Sequence, residues 1–312
     1  TRSFKFRPSN HLLQYQAILS QSFVNETRVG VNRSPLDRVD GNGVLIEGPR
    51  IDGFTRLRPT VTQEEKGTSY SLINNSSWVI GRHTLRFGGE ARRIHVNVAE
   101  STILELRFRS PADFAANRLD SFDLNGELGT RGERRWYYMP YLQDDFRVTP
   151  NLTLNLGVRY EYYSVGKDVK DRGRVFDLAC GGFCAAGAQW YKPDYNNFAP
   201  RVGFAWSPSK LNGTTVRAGF GVFYGPGQND DINAAIDNDR DRFTLARSST
   251  INLTYPITAF VGQGGLAPFS PRALDRQRRD FYSQNWSLSV VQELPFKFTG
   301  VVGYVGNTAH KL

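Results

Sequence analysis

"YLQDDFRVTPNLTLNLGVRYEYYS", residues 141–164, decides the fold. From Leu152 every second residue is apolar: Leu152, Leu154, Leu156, Val158, Tyr160 and Tyr162. Between them lie Thr153, Asn155, Gly157, Arg159, Glu161 and Tyr163. A period of two over this length is one extended strand with an apolar face and a polar face. Thr149-Pro150-Asn151 turns the chain, and residues 134–148 supply the strand before it. Strands of soluble sheets centre on about 5–6 residues, so this hairpin is long for one.

Working outward, the same reading gives ten strands in five hairpins. The first pair lies near 11–19 and 22–32, the second at 68–80 and 83–98, and the third at 134–148 and 152–164. The fourth lies at 198–207 and 214–225, and the fifth at 281–294 and 298–306. Turn residues stand at Gly81-Arg82, at 149–151, in "PSKLNG" and at Pro295-Phe296-Lys297. Between hairpins the connections are long: 33–66, 98–133, 165–197 and 226–280. Short turns and long loops therefore alternate strictly. With strands of at least about 9–11 residues, that pattern predicts an antiparallel transmembrane β-barrel wall.

The alternation repeats strand by strand. Val216, Ala218, Phe220, Val222 and Tyr224 oppose Arg217, Gly219, Gly221, Phe223 and Gly225. Val202, Phe204 and Trp206 oppose Arg201 and Gly203, and Leu85 and Phe87 oppose Arg86 and Gly88. A charge facing lipid at mid-membrane costs about 2–4 kcal/mol, which is the selection that produces such sorting. Far from the short turn lie Trp136, Tyr137, Tyr138, Tyr141, Tyr160, Tyr162 and Tyr163, with Phe223 and Tyr224 at the same level. They form an expected aromatic girdle, with Tyr138 opposite Tyr162.

The bulk numbers fit this reading. The 312 residues carry 39 Lys and Arg against 30 Asp and Glu, a net charge of +9. These charges are scattered with no basic run, so no nucleic-acid partner is expected. No apolar run reaches the ~18 residues of a membrane helix, a test that barrel strands escape. Met139 is the only methionine and Thr1 opens in polar sequence. The chain is thus expected to be a processed or internal piece. Cys180 and Cys184, in "CGGFC", lack further ligands for zinc and are expected to form a small loop disulfide.

Other motifs carry less. "GFGVFYGPG" has no following helix for a phosphate loop, and its glycines fall on the inward face. "DNDRDR", Asp237–Arg242, begins like a calcium loop but has Arg242 where glycine belongs and Ser248 where the bidentate acid belongs. His11, His83, His95 and His310 are isolated, and Asp144 and Asp145 point to opposite faces of a strand. No catalytic set, metal site or cofactor emerges, and no enzyme is expected. Arg86, Arg159, Arg201 and Arg217, with Arg92, point inward and are lumen candidates for contact with an anionic ligand.

"YLQDDFRVTPNLTLNLGVRYEYYS", "NNFAPRVGFAWSP", "VRAGFGVFYG", "GRHTLRFGGEARR" and "QNWSLSVVQELPFKFTGVVGYVGNTAHKL" together resemble the barrel of TonB-dependent outer-membrane receptors. The likeness is greatest to the Oar-like branch and spans essentially the whole chain, strands better than loops. It implies the outer membrane of a Gram-negative bacterium, lipid contact, and uptake of a bulky substrate energised through the TonB complex. It also implies a barrel of about 22 strands, of which residues 1–312 would be a partial, open segment. The plug and an N-terminal regulatory-like domain would lie elsewhere in the polypeptide. The alternatives are a complete small outer-membrane barrel with an enzymatic role, or one with an adhesive role.

Overall fold

A computed structural model describes residues 2–40, 48–55, 62–101, 103–126, 128–227, 234–239, 242–260 and 271–311. The chain opens with β1 (Arg2–Phe6), β2 (Ser9–Ser20) and β3 (Phe23–Asp40). β4 (Gly48–Ile51) precedes the hairpin of β5 (Thr62–Ile80) and β6 (His83–Glu100). β7 (Ile103–Phe108), α1 (Pro111–Ala115) and β8 (Ser121–Asn125) lead to β9 (Leu128–Thr149) and β10 (Leu152–Tyr160). Four two-residue strands follow: β11 (Tyr162–Tyr163), β12 (Lys167–Asp168), β13 (Phe176–Asp177) and β14 (Gly182–Phe183). β15 (Phe198–Trp206), β16 (Thr214–Gly225), β17 (Arg242–Ala246), β18 (Phe281–Glu293) and β19 (Thr299–His310) complete the fold.

The ten expected long strands form one antiparallel meander in the order β2-β3-β5-β6-β9-β10-β15-β16-β18-β19, with β1 extending the edge that β2 begins on β3. No ladder joins β2 to β19 among the described residues, so the sheet is open. The short turns share one rim and are tied to each other. Val79 N donates to Ser22 O (2.8 Å), Arg147 N to Arg82 O (2.8 Å), Ser207 N to Asn151 O (2.9 Å) and Glu293 N to Gly213 O (2.8 Å). The long connections all leave from the opposite rim.

Several strands outrun their expected bounds. β3 continues to Asp40, β5 starts at Thr62 and β9 starts at Leu128. β9 has 22 residues where about 9–11 cross a bilayer. The surplus stands beyond the apolar band, where polar residues such as Glu133 and Arg135 pack against the long connections and the apolar alternation disappears although the ladder continues. The expected connections at 33–66 and 98–133 are correspondingly shorter. Conversely β10 ends at Tyr160, because Glu161 N donates to Asn197 O (3.0 Å) before Tyr162 and Tyr163 rejoin β9.

Cross-strand register carries one apolar row from Phe146 through Leu154, Phe204, Ala218 and Leu288 to Tyr304. The adjacent row carries Asp145, Asn155, Gly203, Gly219 and Ser287. Directly opposed residues share a face, so the predicted outward and inward sets are those observed. Most outward residues stay uncovered, with Leu156 44% and Val202 50% exposed, whereas Val222, near the upper end of β16, is buried. By contrast, the buried apolar residues Leu106, Leu119, Phe122 and Leu253 lie in the loops. A sheet whose apolar face is bare while its loops own the packed core is built for lipid.

Candidate functional site

Two aromatic belts frame the apolar face. The upper one runs Trp136–Tyr138 (5.8 Å between rings), Tyr138–Tyr162 (6.3 Å), Tyr162–Tyr195 (5.2 Å), then Tyr224–Tyr282 (5.5 Å) and Tyr282–His310 (4.8 Å). Tyr138 faces Tyr162 across the ladder, as expected. Tyr137, Tyr141, Tyr163 and Phe223 do not belong to this girdle. Strand parity turns them inward, where Tyr141 Oη donates to Asn75 Oδ1 (2.8 Å) and Tyr163 Oη donates to Glu161. The lower belt contains Phe23, Trp78, Phe87, His83 and Phe146. Asp144 sits within it and holds His83 Nδ1 at 2.7 Å, while Asp145 faces inward.

The inward face is where solute would meet the wall, and its arginines divide into two kinds. Arg86 Nη1 pairs with Asp145 at 2.6 Å, Arg92 Nε with Glu90 at 2.6 Å, and Arg159 Nε with Glu161 at 2.9 Å. Their charges are already balanced. Arg201 and Arg217 have no carboxylate at ion-pair distance among the described residues. Instead the Arg201 guanidinium lies over the Phe223 ring, 4.7 Å from its centre.

The two halves of the wall differ in kind. From β2 to β9 it is laced with compensated charge: Gln14 on Glu26, Glu26 with Arg28, and Arg86 with Asp145. From β10 to β19 the register aligns Gly157, Arg201, Gly221, Asn285 and Asn307 in one row. The row below reads Asn155, Gly203, Gly219, Ser287 and Val305. Glycine in a strand interior marks a place where another group approaches the backbone closely. A hollow of about 410 Å³ opens over Gly219 and Gly221 between Arg201, Phe223, Asn285 and Asn307. A second, of about 200 Å³, adjoins it across Arg201 and reaches Arg159, Gly157 and Tyr141. Of the four candidate arginines, Arg201 thus lines both hollows and Arg159 the second. Arg217 lies lower on the wall, opposite Ala205 and Ser289, and Arg86 stands apart.

Above the groove the wall ends in a buried polar network. Asn197 Nδ2 donates to Asp280 Oδ2 (2.7 Å), Asp280 N to Asp194 Oδ2 (3.1 Å) and Arg279 Nη1 to Asp194 Oδ1 (2.9 Å). Burial pushes the Asp280 carboxyl up to about 6; Asn197 and Arg278 oppose the rise and the nearby Asp194 adds to it. These residues sit in connections that periodicity does not read, and nothing in their spacing marks them.

The long connections fold on each other. β17, β8, β7 and β4 form a four-stranded sheet drawn from three of them. Leu106, Phe108, Leu119, Phe122, Leu245, Leu253 and Ile257 make its core. The short alternations in "ILELRF" and "RFTLA" were the available signal. In the third connection, β13 pairs with β14 and a disulfide joins Cys180 to Cys184, with Cα atoms 5.1 Å apart. Around "DNDRDR", Asp237 pairs with Arg272, Asp239 Oδ2 with Arg131 Nε (2.5 Å), and Asn238 Nδ2 donates to Arg174 O (3.1 Å) and Arg272 O (2.7 Å). Arg240 and Asp241 lie outside the described residues. No group of three or more metal-ligating side chains occurs among the described residues.

The family of outer membrane beta barrel domains matches residues 2–312. No curated protein matches the chain. Among solved structures the chain is similar to the copper transporter OprC, with a TM-score of 0.51 at 12% identity, over 97% of this chain and 39% of that one. The outer membrane transporter YddB from Escherichia coli gives 0.49 at 13% identity, over 98% and 40%. The pyoverdine receptor FpvA from Pseudomonas aeruginosa PAO1 gives 0.48 at 11%, over 99% and 45%. The chain therefore spans less than half the length of these proteins, and at such identities the likeness is one of fold.

Proposed function

The chain belongs to the outer membrane beta barrel domain family, and from that premise we propose that it is part of the wall of a TonB-dependent transporter of the Oar-like branch. As an outer-membrane barrel domain it resides in the outer membrane of a Gram-negative bacterium, with its apolar face in lipid. On this reading residues 1–312 are one partial barrel domain. The plug and regulatory-like domain belong to other parts of the polypeptide and couple the wall to the TonB complex. The wall then admits a bulky solute from the rim that carries the long connections.

The observation that carries the proposal is the contrast between the two rims. One is closed by turns hydrogen-bonded to each other, and the other bears long connections with a hydrophobic core of their own. A passive pore gains nothing from so much folded polypeptide at its mouth, whereas a selective receptor uses it to recognise solute. The test compares depletion of a nutrient panel from the medium by three strains: wild type, a strain lacking the full-length gene, and a strain lacking TonB. We expect one solute to be spared by both mutants. Depletion unchanged by loss of the gene, or lost with the gene yet retained without TonB, would overturn the reading.

A further inference from the structure

We propose that the groove at Arg201 is a subsite for a carboxylate carried on a flat body of the transported solute, an inference that rests on the transport reading above. Arg201 is exposed on the inward face, and no carboxylate offsets its charge among the described residues. No Asp or Glu alternates onto the inward face of β15, β16, β18 or β19 above Glu293, which lies at the short-turn rim. The uncompensated charge is therefore a property of this half of the wall and not of one side chain.

The shape of the groove narrows the ligand. The Arg201 guanidinium carbon lies over the Phe223 ring, 4.7 Å from its centre, a position favoured by the ring's negative face. That leaves the guanidinium edge, with its fork of N–H donors, free for bidentate capture of a carboxylate. Beside it Gly219 is half-buried, and Gly221 lies buried beneath the Phe223 ring and the Arg201 stem. A Cβ at Gly221 would stand 3.1 Å from the Phe223 ring and 3.5 Å from Arg201 Cγ. Phe223 itself stays 40% exposed and offers an aromatic surface for a flat group to pack against, and at about 410 Å³ the hollow is within the usual range for small ligands. Asn285, Asn307 and Ser287 line its far side and supply donors and acceptors for hydroxyl or carbonyl substituents.

The probes are phthalate and its uncharged relative benzamide, titrated by saturation-transfer NMR into the full-length receptor purified in detergent. We expect phthalate to bind at least tenfold more tightly than benzamide, because only the former forms the charge-assisted pair. Arg201→Gln should weaken phthalate by about tenfold or more. Arg201→Lys should restore part of the loss, and Phe223→Ala should weaken binding with the charge intact. Lys210→Gln, in a short turn at the other rim, should change nothing. Heat-modifiable gel migration establishes that each variant is folded. Equal affinity for the two probes, no phthalate binding in wild type, or unchanged binding in folded Arg201→Gln would overturn the subsite. Binding to purified protein needs no energy source. Loss of phthalate binding in Arg201→Gln would thus uphold the subsite even if uptake proved independent of TonB, and absent binding would sink it even if uptake were TonB-driven.

Discussion

Leu156 and Asn155 are neighbours in sequence and face different solvents. Leu156 belongs to the row that meets lipid, whereas Asn155 Nδ2 donates to Asp145 Oδ1 (2.7 Å) on the inward face. Leu156→Arg should therefore cost about 2–4 kcal/mol of unfolding free energy, read by urea titration of full-length protein folded into vesicles, and Asn155→Arg should cost far less. Equal costs would show the register to be wrong by one residue. Parity also separates Phe223 from Tyr224, which level along the strand alone had placed together. Asp280 makes a prediction of another sort. Its carboxyl is held at about 6 in the fold, above the ordinary value near 3.9. The folded state then binds more protons than the unfolded between those limits, so local stability falls as pH rises from about 4 through 6. Asp280→Asn should flatten that dependence, since an amide can accept from Asn197 but cannot ionise. Hydrogen exchange at the Glu161 amide, which donates to Asn197 O, is the readout. An unchanged pH slope in the variant would refute the assignment.

The loop sheet is an element with its own stability. Phe122 and Leu119 are essentially inaccessible, at 2% and 0% exposure, and both pack in the core of the loop sheet. Phe122→Ala should cost about 3–5 kcal/mol locally. It should open residues 103–126 to protease while heat-modifiable migration of the barrel persists; loss of both together would show that the sheet is not an independent unit. The Cys180–Cys184 ring spans a separation of only four residues. Cys180→Ser with Cys184→Ser should thus lose less than the ~3 kcal/mol of a fifteen-residue loop and leave the barrel unaffected. Thiol titration of unreduced protein checks the bond itself, and free thiols would refute it. These elements also mark how far the sequence could be read. Between Leu152 and Tyr160, lipid on one side and water on the other enforce a period of two, and the strand is legible to the residue. In "RVGVNRSPLDRVD" the end of β3 leaves the membrane, both faces become wet, and the period vanishes while the ladder continues. The loop sheet unites strands more than a hundred residues apart, a pairing no local pattern encodes. Of the candidate site, the alternation placed five inward arginines. Which were neutralised depended on partners two residues away, for Arg159, or across the sheet, for Arg86.

At the scale of the whole molecule the sheet has two sides and two edges, and only the sides are provided for. The inward face carries its own ion pairs over one half and, over the other, arginines with no carboxylate partner among the described residues. The outward face finds its complement in lipid. The edges have no such complement among the described residues. β2 offers its ladder groups on the side away from β3, and β19 offers those away from β18. Each strand is 12 residues long. Where a strand crosses hydrocarbon, water cannot satisfy these groups, and every unpaired N–H or C=O costs on the order of several kcal/mol. That sum is too large for the folded state of a domain stabilised by about 5–15 kcal/mol. Residues 1–312 expressed alone should therefore not refold into vesicles as a monomer. They should aggregate through β2 and β19, whose side chains Leu13, Tyr15, Val302 and Val305 are also uncovered. The decisive measurement places cysteines at Leu13 and Tyr304 and assays cross-linking in the refolded chain. Intramolecular cross-linking together with heat-modifiable monomer migration would mean that β2 pairs with β19, closing a ten-stranded barrel. Intermolecular cross-linking in aggregate, with none within a chain, is the outcome that unpaired edges require.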